Sequence, residues 1–213
     1  MFDFILANTD NIIVYASNHF SLSISAILIS LILWIPVGIL MAKNEKAASI
    51  VNTISNILYC IPSIAMFAIL ITIPFLGLGR LSAVIALILY SMMPMTTSVY
   101  TGITNVDQSL IEAVRGMGMN SKDILLQVEL PLAVPSIFSG FRLMSIMIIS
   151  TATLATYIGE RNLGRLISQG LSRSDMDMVL TGAFLVSAIA IILDYLFLFI
   201  ENKLNRYETK GVE

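Results

Sequence analysis

Glu112-Ala113-Val114, three residues, Gly118, nine residues, Val128, one residue and then Leu130-Pro131 is the one long-range pattern of chemically distinctive residues in the sequence. It lies in a polar, glycine-punctuated stretch, EAVRGMGMNSKDILLQVELP over 112–131, inside a chain that is otherwise strongly apolar. The stretch offers charges, helix caps and apolar side chains, which suit non-covalent recognition of another protein. Covalent chemistry is poorly supplied. The single histidine is His19 and the single cysteine is Cys60. Together they exclude a disulfide framework, a Cys-based metal site and a zinc site with several His ligands, and they give a His-based triad little support. No G-x-x-x-x-G-K-[ST] phosphate loop occurs, so the chain does not itself hydrolyse ATP.

Local signals give this stretch a shape. Asn105 and Gln108 have capping-box spacing, and Asp107 competes with Asn105 as the cap. Either start predicts a short helix with Leu110, Ile111, Val114 and Met117 along one stripe, and with Glu112 and Arg115 on other faces. Gly116 and Gly118 are expected to end it, because glycine enters left-handed backbone space cheaply. Asn120 or Ser121 then caps a second short helix through Ile124, Leu125 and Val128. Pro131 is expected to end that helix, and Pro135 to sit in the first turn of the next element. The expected product is helix, tight turn, helix, lying across a membrane face. On caps and glycines alone, an ordinary solvated connection is the better reading.

The elements that must position this loop are membrane helices. Of 213 residues 57% are hydrophobic and 12% charged, about half the charged fraction usual in soluble domains. A net charge of −2 gives no support for nucleic-acid binding. Five apolar runs reach the length a bilayer requires: roughly 21–42, 50–74, 81–101, 135–157 and 179–200. Pro36, Pro62, Pro74 and Pro94 fall within the first three and read as kinks or as breaks lining a cavity. The segment 1–20 carries Asp3 and Asp10 where a signal peptide would be basic, and reads as an external lead-in that places His19 at the interface.

Lys and Arg near the spans set orientation. With the N-terminus outside and the C-terminus cytoplasmic, Lys43, Lys46, Arg115, Lys122, Lys203, Arg206 and Lys210 are cytoplasmic, and Arg80, Arg161, Arg165 and Arg173 external. Arg142, just inside the fourth span, either snorkels to the interface or anchors that span to the loop through Glu112 or Glu129. Asp194, late in the fifth span, either pairs with a base on another helix or turns to the interface.

The 112–131 spacing closely resembles the EAA loop of ABC-importer permeases, with Val114 in place of the second alanine and Val128 in place of isoleucine. YTGITNVDQSLIEAVRGMGM, LPLAVPSIFSGFR, TATLATYIGERNLGRLISQGL and ILDYLFLFIENKL look like the branch that carries glycine betaine, carnitine and choline, as does Ile61-Pro62-Ser63-Ile64-Ala65. The resemblance covers residues 20–205. It implies an all-α integral membrane protein with about five transmembrane helices in the type I, methionine-permease-like fold. The permease domain would be 21–205, its coupling loop 105–131 and its cytoplasmic tail 206–213. Glu112, Ala113, Arg115, Gly118, Leu130 and Pro131 would form the ATPase-coupling loop.

The implied partners are a second permease subunit, identical or homologous, two cytoplasmic ATPases that hold ATP and Mg, and an external substrate-binding protein. The chain itself would be non-catalytic, bind no cofactor or metal, and sit in a bacterial cytoplasmic membrane. Two departures stand out. Tyr59 and Cys60 occupy positions where the branch commonly has Gln-Thr, and Gly159-Glu160-Arg161-Asn162-Leu163-Gly164 replaces Gly-Ala-Gly-Gly-Leu-Gly at the external mouth.

Quaternary ammonium ions are held by aromatic faces, which makes Tyr59, Phe67, Tyr90 and Tyr157 candidates for the substrate path, with packing as the competing use. Met92, Met93, Met95, Met144 and Met147 divide between lining a path and filling a core. The rival functions are a permease of another importer branch, for an amino acid or other organic cation, and a secondary transporter. The five spans show no inverted repeat, which disfavours the latter.

Overall fold

Every backbone N–H and C=O in a bilayer must find a partner within the protein, so the apolar runs fold as helices. The computed structural model describes residues 1–209, with side chains through Glu201. Lys210 and the rest of 210–213, together with the side chains of Lys203 and Arg206, lie outside the described residues. In chain order the helices are α1 (Phe2–Ala7), α2 (Thr9–Lys43), α3 (Glu45–Cys60), α4 (Ser63–Ile71), α5 (Arg80–Thr104), α6 (Gln108–Gly116) and α7 (Ser121–Ile124). A π-helical turn (Leu125–Glu129) leads into α8 (Leu130–Ala152), a 3-10 segment (Thr153–Ile158), α9 (Gly164–Arg173) and α10 (Met176–Thr209).

Among the described residues, four stretches are long and apolar enough to cross a membrane: Thr9–Lys43, Arg80–Thr104, Ser121–Ile158 and Met176–Glu201. A fifth apolar stretch is sharply bent. Where one span was expected over 50–74, α3 and α4 meet at 98°. Pro62 is the cause, because its ring disfavours helical backbone at the preceding residue. Ile61 accordingly turns extended (φ −68°, ψ 126°). Its carbonyl accepts a hydrogen bond from the Tyr90 hydroxyl of α5. Pro36, Pro94 and Pro135 are carried inside helices.

The first spanning helix, α2, begins twelve residues earlier than the apolar run predicts, at Thr9. Residues 9–20 are therefore part of the bundle, since Ile12 packs with Leu163, Leu166, Met178 and Val186. His19 is fully buried beside the Ile149 carbonyl, at 3.1 Å from Nε2, and is not an interfacial residue. Its burial is invisible to a hydropathy count because a single polar side chain inside a bundle looks the same as one facing water.

At the centre, α5 is sandwiched between α2 and α8. Hydrophobic association is weak between helices already in lipid, so close packing of small residues and interhelical hydrogen bonds hold them together. A Cβ at Gly38 would stand 2.5 Å from that of Val99, and one at Gly102 would stand 2.9 Å from that of Ser136. Gly140 leaves still less room against Ser98. The buried Ser91 hydroxyl donates to Ser30 at 2.6 Å, and the Trp34 indole N–H donates to the Ile88 carbonyl at 2.9 Å. Leu22, Phe67, Leu87, Met95, Met144 and Ile148 fill the core between these contacts.

Arg142 does not reach Glu112 or Glu129. Its guanidinium pairs with Asp194 at 2.5 and 3.0 Å and with Glu201 at 3.1 Å, tying α8 to α10. Removing a charge from a low-dielectric interior by pairing it on a neighbouring helix is the less costly solution, and it assigns Asp194 to structure.

The close approach at Gly140 predicts its own test. Gly140→Val must push α8 away from α5, at a cost of about 1–3 kcal/mol. Gly116→Ala, in open space at the end of α6, is expected to be neutral or to stabilise by up to about 1 kcal/mol. Thermal unfolding of the purified proteins in detergent distinguishes them, and an unchanged Gly140→Val protein contradicts the packing described.

Candidate functional site: the 105–131 loop

The loop emerges where α2, α5, α8 and α10 share one end of the bundle. Asp107 is the cap of α6, and its carboxylate accepts the Ser109 backbone N–H at 2.8 Å. Asn105 instead closes α5 in ordinary helical backbone (φ −83°, ψ −4°). Of the two glycines, only Gly118 ends α6. It takes φ +94°, while Gly116 remains the last helical residue. Met119 N–H bonds the Val114 carbonyl at 3.2 Å and Gly118 N–H bonds that of Arg115 at 3.0 Å. That pair is a Schellman closure with Gly118 in the left-handed position. Asn120 caps α7 through the N–H groups of Lys122 and Asp123, each at 3.0 Å.

The apolar stripe of α6 is divided. Ile111 and Val114 turn inward onto Val106, Ile124, Met119 and Val128, a small core private to the loop. Leu110 and Met117 face outward, Met117 being 83% exposed. Glu112, Ala113 and Arg115 are exposed as well. Leu126 adds a further exposed apolar side chain.

Leu130-Pro131 does not end the second loop helix. Residues 121–158 form one continuous helical stretch of 38 residues. In an α-helix the Pro131 ring would collide with the carbonyl four residues back. The π-helical turn just before it widens the backbone at that point, with Leu130 N–H reaching the Leu125 carbonyl. Leu130 packs against the core, whereas Pro131 is exposed. Pro135 consequently lies inside α8 and starts no new element.

One contact at this site was missed by sequence reasoning. Glu129, with a side chain only 11% exposed, is ion-paired to Lys43 at the end of α2. The signal available was modest: Lys43 is the first charge after the first apolar run, and Glu129 abuts Leu130-Pro131.

The four aromatic candidates do not converge. Phe67 and Tyr90 are 1% and 7% exposed and belong to the core. Tyr157 is exposed on the 3-10 segment, near the opposite end of the bundle from the loop. Tyr59, half-exposed in the last turn of α3, lines a cavity of about 330 Å³ with Met93, Pro94, Thr97, Ser98, Leu143 and Met147. Met92, Met95 and Met144 are buried in the core. Among the described residues, no group of three or more His, Cys, Asp or Glu side chains could hold a metal ion.

Residues 34–206 match the family described as binding-protein-dependent transport system inner membrane component. The chain belongs to this family. It is 36% identical over 192 residues to the carnitine transport permease protein OpuCB of Listeria monocytogenes, covering 90% of this chain and 87% of that one. It is 34% identical over 213 residues to the glycine betaine/carnitine/choline transport system permease protein OpuCB of Bacillus subtilis, covering 100% and 97%. The osmoprotectant import permease protein OsmW of Salmonella typhimurium is 36% identical over 181 residues, 84% of each. The fold matches the inward-facing MetNI methionine ABC transporter with a TM-score of 0.84 over 93% of this chain and 98% of that one, at 19% identity. The family member is thus a multi-pass inner-membrane permease component with the methionine-transporter permease fold.

The Asp107 cap yields a pH expectation. The Ser109 backbone N–H, with help from its hydroxyl, holds the carboxyl below its ordinary value. A lowered folded value means the cap's contribution is complete above the unfolded pKa and fades as pH falls through the folded one. Protection of the 109–111 amides, corrected for intrinsic exchange rates, should therefore persist below the usual carboxylate range and then drop. Asp107→Asn should lack that drop, and an identical profile in both proteins contradicts the assignment.

Proposed function

We propose that this chain is the transmembrane permease subunit of an ATP-driven importer for quaternary-amine osmoprotectants such as glycine betaine, carnitine and choline. The single observation that carries the reading is the end-to-end similarity to the Bacillus subtilis glycine betaine/carnitine/choline permease. The Listeria carnitine permease and the Salmonella osmoprotectant permease support the same cargo class.

In this reading the exposed surface of Glu112, Ala113, Arg115 and Met117 docks into a cleft on a cytoplasmic ATPase, which holds the ATP and Mg. Gly118 fixes the angle at which that surface is presented, and Leu130-Pro131 passes its motion into α8. Two permease subunits pair in a bacterial cytoplasmic membrane, two ATPases sit beneath them, and an external binding protein delivers cargo. The loop end is cytoplasmic and the N-terminus external. In the sequence, seven Lys and Arg assigned to the loop side, Lys43, Lys46, Arg115, Lys122, Lys203, Arg206 and Lys210, against four on the other, Arg80, Arg161, Arg165 and Arg173, support that orientation. This subunit supplies no catalytic group. Its work is to convert closure of the ATPases into a change of access across the membrane.

Two experiments test the reading. Co-purification with the neighbouring ATPase and binding protein should give ATP hydrolysis stimulated by glycine betaine, carnitine or choline. Stimulation by other solutes alone removes the cargo assignment, and absence of any associated ATPase removes the ATP-driven mechanism. Gly118→Val forces a β-branched residue to φ +94°, a strained conformation for any such side chain. It should insert normally yet lower ligand-stimulated ATPase activity by about tenfold; full stimulation would deny Gly118 its role.

A further inference from the structure

We infer that the cavity beside Tyr59 is a transit site for the quaternary ammonium headgroup, with the Tyr59 ring as the face the cation meets. The inference rests on the quaternary-amine reading above. The cavity, about 330 Å³, opens between the break that separates α3 from α4 and the middle of α5 and α8. Its size is at the lower end of the range for small-molecule pockets, which fits a small solute.

The lining matches a quaternary ammonium in what it contains and in what it lacks. Among the described residues, no charged side chain lines it. A carboxylate in this low-dielectric setting would hold a cation too tightly to release it, and a base would repel it. A quaternary ammonium has no N–H to donate, so it is recognised by diffuse negative surfaces. Tyr59 supplies an aromatic face. Met93 and Met147 supply polarisable thioethers. Pro94 has no N–H, so the Tyr90 carbonyl loses its usual helical donor, leaving an underused dipole in the turn beside the cavity. Thr97 and Ser98 line the same cavity with hydroxyls able to meet the carboxylate or hydroxyl end of such a solute.

Two features fix the geometry. Ser98 is pressed against Gly140, so the α5 wall is rigid. Tyr59 lies two residues before the extended Ile61, whose carbonyl is held by Tyr90. The ring therefore projects from the end of a helix whose next residue leaves helical geometry.

The test uses the intact transporter, with its ATPase and binding protein, reconstituted in proteoliposomes and supplied with radiolabelled choline, carnitine and glycine betaine. Tyr59→Phe and Tyr59→Trp keep an aromatic face and should retain uptake within about threefold of wild type. Tyr59→Leu should lower it about tenfold, within the range a cation–π contact allows, while ligand-stimulated ATPase activity persists. Uptake by Tyr59→Leu equal to wild type overturns the site. Equal loss in the Phe, Trp and Leu variants also overturns it, since it would trace the effect to the hydroxyl or to packing. If Tyr59→Leu fails to assemble, the ranking of Trp and Phe against Tyr59→Met decides in the same way. Wild-type protein that transports none of the three solutes defeats the cargo reading itself, a result distinguishable from failure at Tyr59.

Discussion

A chain embedded in hydrocarbon has nowhere to send an unpaired backbone group, and the architecture follows from how each such group is accommodated. Continuous helices solve most of the problem. What remains is concentrated at prolines, and each is handled differently. At Pro62 the helix stops, Ile61 turns extended, and a tyrosine hydroxyl from α5 takes up its carbonyl. At Pro131 the helix survives because the preceding turn widens into π-helical geometry. At Pro36 and Pro94 the helix continues without a break. The bend that forms the Tyr59 cavity and the continuity that joins loop to span are two outcomes of one constraint.

Polar side chains then do the work that hydrophobicity cannot do between lipid-bathed helices. Ser30 with Ser91, Trp34 with Ile88, and Arg142 with Asp194 and Glu201 each join two helices. They flank rows of glycine and serine that allow backbones to approach. The loop end of the bundle is joined differently, by the Lys43–Glu129 ion pair where the chain leaves the apolar region.

Much of this was legible in the sequence, and the limits are instructive. The all-helical membrane architecture followed from the length of the apolar runs, and the family from five fixed positions between Glu112 and Pro131. The turn and the second cap were legible because left-handed and cap positions demand particular residue types, but the choice of Gly118 over Gly116 and of Asn120 over Ser121 came from the structure. Asn105 against Asp107 was ambiguous because both can cap, and only the real end of α5 decides between them. Pro131 misled, since proline normally stops a helix and no local signal announces a π-helical turn. Phe67, Tyr90 and Tyr59 are equivalent in composition; burial separates them, and burial is a property of the packed bundle. Arg142, Asp194 and Glu201 lie on segments whose mutual rotation no periodicity specifies.

The 38-residue stretch from Ser121 to Ile158 has a mechanical meaning. At 1.5 Å per residue it is a rod about 57 Å long. Its close approach to α5, Gly140 against Ser98, falls near the midpoint. A rod held most firmly at its centre behaves as a first-class lever. Tilting about that fulcrum sends its two ends in opposite directions by similar distances. Were the stretch to tilt as one unit about that point, a push at the Asn120 end would return reversed in sign some 50 Å away, at the 3-10 turn that carries Tyr157.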